Sequence, residues 1–186
     1  MSILVACVIL LLLPINNVIC KRMWDYALLS IDTTTSDPTK FEIDAEVQRI
    51  SRTEYGFSLI MDYHYFPDDT TFIVAGGYRS NTGNEEDYVV MPWSLPTRTY
   101  EEYIKSFYES IVLKNLEYCS NLPAPDKAFP VPKDNVYKFD RCVLNGEGMP
   151  EIVPDGYYKV FINATGEVDW TIIIRMKISR KTNLYG

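Results

Sequence analysis

Histidine is almost missing from this chain: His64 is the only one. A Ser–His–Asp or Cys–His device would have to use it as the base. It sits between Tyr63 and Tyr65 in a strand pattern, apart from the apolar set Phe57, Leu59 and Met61, and reads as a partly exposed structural histidine. No Gly-Xaa-Ser-Xaa-Gly, His-Glu-Xaa-Xaa-His or Walker-type run occurs. Cysteine is scarce too, four in all. Two of them, Cys7 and Cys20, fall in an apolar leader. The remaining pair and one histidine are too few for a structural zinc site, so neither metal nor cofactor is expected. Positive charge is in deficit: the formal net charge of −7 argues against nucleic acid as a partner. Repeats and low-complexity tracts are absent.

What is present begins at the N-terminus. Residues 3–13 are an unbroken apolar run, closed by Pro14, and the first charged side chain is Lys21. A run this short suits the core of a signal peptide and falls short of the roughly 20 apolar residues that span a bilayer. Residues 1–20 are therefore expected to be a signal peptide and 21–186 one extracellular, secreted domain. No second apolar run of spanning length follows, so the chain is not expected to span a membrane. In an oxidising compartment Cys119 and Cys142 read as one disulfide.

Aromatic residues make up 13% of the chain, with 14 tyrosines, which favours a packed core. Period-2 alternation dominates, the mark of half-buried strands. Phe41, Ile43, Ala45 and Val47 share one face, and Glu42, Asp44, Glu46 and Gln48 the other. Further strands are expected at 24–31, 55–63, 70–79 with a bend at Gly76-Gly77, 87–91, 135–144, 156–163 and 167–178. Pro92 and Pro96 are expected to interrupt the sheet over 92–98. One helix is expected over about residues 99–118, started by Thr99 and Glu102 as a capping box. Its apolar face would carry Tyr100, Tyr103, Ile104, Phe107, Ile111 and Leu116. Four prolines between 123 and 132 mark an extended crossing. The fold class is mainly β: a two-sheet antiparallel sandwich or cup with one α-helix.

Asn163-Ala164-Thr165 is an N-glycosylation sequon, expected at a hairpin turn between the last two strands. Carboxylates are plentiful, but most alternate outward or sit in loops, where a solvated surface is the simpler reading than a glycosidase pair. Arg175, Lys177, Arg180 and Lys181 form a basic strip, read as a solvated strand face or as a dock for an acidic partner.

Several runs in the C-terminal half occur together: Phe129-Pro130-Val131-Pro132-Lys133 leading to Tyr137 and Cys142, then Gly148-Met149-Pro150, Pro154-Asp155-Gly156-Tyr157-Tyr158-Lys159 and Gly166-Glu167-Val168-Asp169-Trp170. With the leader and a helix ending at Cys119, these resemble the CheB group of insect chemosensory proteins. Those are relatives of the ganglioside-activator proteins within the wider ML-type lipid-recognition class. The resemblance implies a β-cup around an apolar cavity, and a role in contact chemosensation such as pheromone detection. One departure is that such relatives carry more than one disulfide.

The expected function is a non-catalytic carrier or presenter of a hydrophobic small molecule or lipid, with a chemosensory receptor or channel as partner. The inward faces nominate Phe57, Leu59, Met61, Val160, Ile162, Trp170, Ile172 and Ile174 as cavity lining. The same residues would form an ordinary core in the rival reading, a secreted interaction module with a closed interior. A second rival, a hydrolase, would need two carboxyl groups converging in a cleft.

Overall fold

The computed structural model describes residues 22–52 and 54–181. The expected signal peptide, with Cys7 and Cys20, lies outside the described residues. Eight strands are present: β1 (Trp24–Thr35), β2 (Phe41–Arg49), β3 (Tyr55–Tyr63), β4 (Phe72–Ser80), β5 (Val89–Thr99), β6 (Asn135–Cys142), β7 (Gly156–Thr165) and β8 (Trp170–Arg180). They form two antiparallel sheets, one ordered β1-β8-β7-β4-β5 and the other β2-β3-β6. One helical segment, α1, runs over residues 100–119 between β5 and β6. The molecule is the mainly β sandwich with one helix that the alternation implied.

Chain passes from the large sheet to the small one through a turn held by Asp37. Its carboxylate accepts from the Thr39 amide at 3.0 Å, and its carbonyl from the amides of Lys40 and Phe41. This is the side-chain turn that Asp favours. It delivers Phe41, which has no exposed surface, to the seam between the sheets. The Phe41 ring centroid lies 4.5 Å from that of Tyr63 on β3 and 5.5 Å from that of Trp170 on β8. Offset and tilted aromatic contacts of this kind contribute beyond the area they bury.

The inner face of the large sheet is longer than the small sheet that covers it. At the uncovered end Trp24, Tyr158, Met176 and Ile178 form a second cluster, with Met91, Met149 and Val153 packed against it. Residues 143–155 cross over this end. The Trp24 indole donates to the Pro150 carbonyl at 2.8 Å, and the Tyr158 hydroxyl donates to the Pro154 carbonyl at 2.6 Å.

One strand departs from expectation. β5 runs straight through Pro92 and Pro96, where the sheet was expected to break. β5 is an edge strand, and only one of its sides must supply ladder donors, so proline is tolerated there. Its register on β4 shifts twice, between Ile73 and Ala75 and between Gly76 and Tyr78, and neither proline is among the paired residues. The Gly76-Gly77 bend expected in β4 falls at the second shift.

His64 follows β3 and faces two carboxylates, with Nδ1 3.0 Å from Asp134 and Nε2 3.3 Å from Asp62. Its pKa is raised above 6.5, chiefly by the hydrogen bond to Asp134 and then by the charges of Asp62, Asp134 and Glu42. Because the folded value exceeds the unfolded one, the stabilisation is complete below about pH 6.5 and fades as pH climbs through the folded pKa. Urea midpoints are expected to fall between about pH 6 and about pH 8, and His64→Gln to remove that component. Parallel pH profiles for the two proteins would show that His64 contributes nothing.

Candidate functional site

The interior between the sheets is not filled. Beneath α1 lies a cavity of about 230 Å³. From the small sheet Ala45, Phe57, Leu59, Met61, Tyr63, Tyr137 and Phe139 face it. The large sheet contributes Ile31, Ile73, Ile162, Trp170, Ile172 and Ile174. Along α1 the lining is Tyr100, Tyr103, Ile104, Tyr108, Val112 and Leu116, and Leu122, Pro123, Ala128 and Leu144 close the remainder.

Seven of the eight residues nominated from the sequence lie around this space: Phe57, Leu59, Met61, Ile162, Trp170, Ile172 and Ile174. Val160 does not. It is on the same face of β7 as Ile162, but one pair further along, opposite Gly77 on β4 and Ile174 on β8. It packs instead against the second cluster, that of Trp24, Tyr158, Met176 and Ile178. Alternation identifies the face of a strand and says nothing of position along it.

α1 differs from its expected face. Tyr100, Ile104, Tyr108, Val112 and Leu116 recur every fourth residue. On a regular α-helix a step of four overshoots one turn of 3.6 residues, so such a stripe would swing round the axis. Here Ile104–Leu113 is wound as a wider π-helix between α-helical ends. The wider turn swings the stripe back towards the sheets. Phe107 and Ile111, placed on the inner face by a 3.6-residue period, are turned away from the cavity. Phe107 packs on Tyr103, with Arg98 over its ring.

Both ends of α1 are fixed. At the start Thr99 and Glu102 form the expected capping box, with the Glu102 amide donating to Thr99 Oγ1 at 3.2 Å and the Thr99 amide to Glu102 Oε2 at 3.3 Å. At the end Cys119 is bonded to Cys142 of β6, closing a loop with a sequence separation of 23. Loop closure of that size stabilises by about 3 kcal/mol on chain-entropy grounds.

Asn115 ties the last turn of α1 to the 145–148 segment. It is almost fully buried. Its Nδ2 donates to the carbonyls of Ile111 and Glu147, both at 2.8 Å, and its Oδ1 accepts from the Gly146 amide at 2.8 Å.

The electrostatics of the cavity are simple. No lining side chain is a carboxylate, an amine, a guanidinium or an imidazole. Its ionisable groups are phenols, and burial raises the pKa of Tyr63, Tyr100, Tyr103, Tyr108 and Tyr137. They stay neutral across the physiological range. Tyr63 and Tyr100 share a hydrogen bond, and Tyr108 donates to the Pro123 carbonyl at 2.6 Å. Two of the four residues of the basic strip are paired, Arg175 with Asp32 and Glu85 and Lys181 with Asp25, and Lys177 lies over the Tyr157 ring.

Residues 77–160 match a family described as a protein of unknown function (DUF1091). That family is a lipid-recognition-like, ML-type domain. No curated protein matches the chain. The matched span runs from the bend in β4 through α1 and both cysteines to the middle of β7, and so includes the whole helical wall of the cavity.

Replacing Asn115 is the direct test of how the wall is held. Asn115→Asp puts an acceptor where two carbonyls need a donor, and should cost about 2–3 kcal/mol in urea unfolding. A loss under about 0.5 kcal/mol, the range of an ordinary surface substitution, would mean that α1 is anchored without it.

Proposed function

We propose that this chain is a secreted, non-catalytic carrier or presenter of a hydrophobic small molecule, a lipid or a hydrocarbon, with its binding site in the cavity beneath α1. The observation that carries the reading is a pocket of about 230 Å³ whose lining is apolar apart from neutral phenols and one indole. An engineered apolar cavity of about 150 Å³ is enough to take up benzene, whereas drug-sized ligands use about 300–1,000 Å³. The volume therefore suits one slim chain rather than a lipid with several. Binding would be driven by removing that chain from water.

Two further observations support the reading over its rivals. The lining offers no group that titrates near neutral pH, so a general acid or base would have to come from elsewhere. Half of the basic strip, which a surface-docking module would use, is spent on internal ion pairs, at Arg175 and Lys181. The similarity to a lipid-recognition-like family over 77–160 points the same way. The finer assignment, membership of the CheB group with a role in pheromone detection and a chemosensory receptor or channel as partner, rests on the C-terminal runs quoted above.

Native mass spectrometry of the secreted protein, followed by organic extraction, tests the carrier role. One apolar molecule per chain is expected. Ala45 faces the cavity from β2 and has room in front of it, so Ala45→Phe should fill the space. The variant should lose the bound mass, and its melting temperature should stay level or rise. A protein that carries nothing and takes up no long-chain lipid or hydrocarbon would instead support the closed interaction module.

A further inference from the structure

The sequon at Asn163 was expected in a turn. Instead Asn163 lies within β7, third from its end, on the central strand of the large sheet. The turn begins only at Gly166. On β7 the inward residues are Tyr158, Val160, Ile162 and Ala164, so Phe161, Asn163 and Thr165 share the outward face. Cross-strand partners complete that face. Asn163 stands between Val74 on β4 and Thr171 on β8, and Phe161 between Gly76 and Ile173. Phe72, beside Thr165, is 41% exposed.

This outer face is therefore apolar around a polar centre. The far end of the Phe161 ring reaches over Gly76: a Cβ built there would come within 2.8 Å of its Cζ. Glycine at 76 thus leaves room for the half-buried ring, which also packs on Tyr78, 5.8 Å between centroids. The Asn163 Oδ1 is buried without a hydrogen-bond partner, while Nδ2, the atom that takes a sugar, donates to nothing among the described residues.

We infer that Asn163 carries an N-linked glycan whose first sugar packs on the Phe161 ring, covering the outer face of the large sheet. The spacing supplies what the contact needs. Residues two apart on a strand project from the same face, about 7 Å apart. A sugar linked to Asn163 Nδ2 can reach back over Phe161 with its apolar C–H face against the ring. Thr165, two residues on, provides the hydroxyl the transferring enzyme requires. In the transfer the amide nitrogen forms a bond to the sugar's anomeric carbon, the lipid-linked pyrophosphate leaves, and the amide proton goes to the enzyme's base. The glycan, and not a second copy of the chain, is then what shields Val74, Phe161 and Ile173 from water. The inference rests on the secretory half of the reading above and is independent of the cavity, which opens on the opposite face of the sheet.

The test uses the full chain, with its own leader, in cells that attach high-mannose glycans. One glycan on Asn163 is expected by peptide mass mapping of the protein in the medium. Three forms are then melted: untreated, trimmed by an endoglycosidase that leaves one sugar, and stripped completely. The first two should melt together and the third about 3 °C lower. Phe161→Ser should abolish that difference. Unmodified Asn163 in the secreted protein, three equal melting temperatures, or a difference that survives in Phe161→Ser would each overturn the inference. Complete stripping hydrolyses the side-chain amide and leaves a carboxylate at 163, so Asn163→Gln, which carries neither sugar nor charge, is melted alongside and should also fall below the trimmed form; a poorly folding Phe161→Ser then leaves the test intact. Failure to find a bound lipid would sink the carrier reading and leave this one standing. A chain that never reaches the medium would sink both.

Discussion

The architecture depends on a single aromatic junction. Phe41, fully buried, bridges Tyr63 on the small sheet and Trp170 on the large one. Tyr65 extends the cluster, with its ring 6.0 Å from that of Tyr63. Sheets held by bulky rings at one end are set apart by the width of those rings. Filling the remaining gap would need equally large side chains along its whole length. The residues further along include Ala45, Leu59 and Ile172, which are smaller. The junction thus both joins the sheets and leaves the space that α1 roofs over.

That roof is a compromise between packing and winding. A wholly α-helical segment would present Phe107 and Ile111 inward and carry Tyr108 and Val112 off to the side. The π-wound stretch keeps a four-residue stripe over the cavity. Wider turns form poorer backbone hydrogen bonds, so the stretch is rarely long. What holds it here lies at the two ends, in the Thr99–Glu102 box and the Cys119–Cys142 bridge, and in Asn115 near the last turn.

How much of this was legible in the sequence follows from the range of each signal. Strand faces are local, because alternation is set by the backbone, and Phe57, Leu59, Met61, Trp170, Ile172 and Ile174 lie on the faces that alternation gives them. Depth along a strand depends on where the other sheet ends, so Val160 could be given a face but not a neighbour. Pro92 and Pro96 read as breakers because nothing local says that β5 lies at an edge. A helical period of 3.6 does not bring Tyr108 and Val112 to the inner face. The spacing of Tyr100, Ile104, Tyr108, Val112 and Leu116 was the one available sign of a longer period. Leu122, Tyr137 and Phe139 reach the cavity from a crossing and an edge strand whose packing only the tertiary fold decides.

The uncharged lining has a consequence for selectivity on the proposed reading. A site with a buried arginine or carboxylate would choose its ligand by headgroup, since an unmatched charge is costly to bury. Here no such group faces the cavity, and of its phenols Tyr63 and Tyr100 bond to each other and Tyr108 to backbone. Affinity must then grow with the number of methylenes taken from water, at about 0.8 kcal/mol each. It stops growing when the roughly 230 Å³ is full. Any longer chain must leave its tail in water or force the walls apart. Discrimination would therefore be by chain length and branching, read through the bulk of Met61, Ile104 and Ile174, with the polar end of the molecule left outside for a partner to recognise.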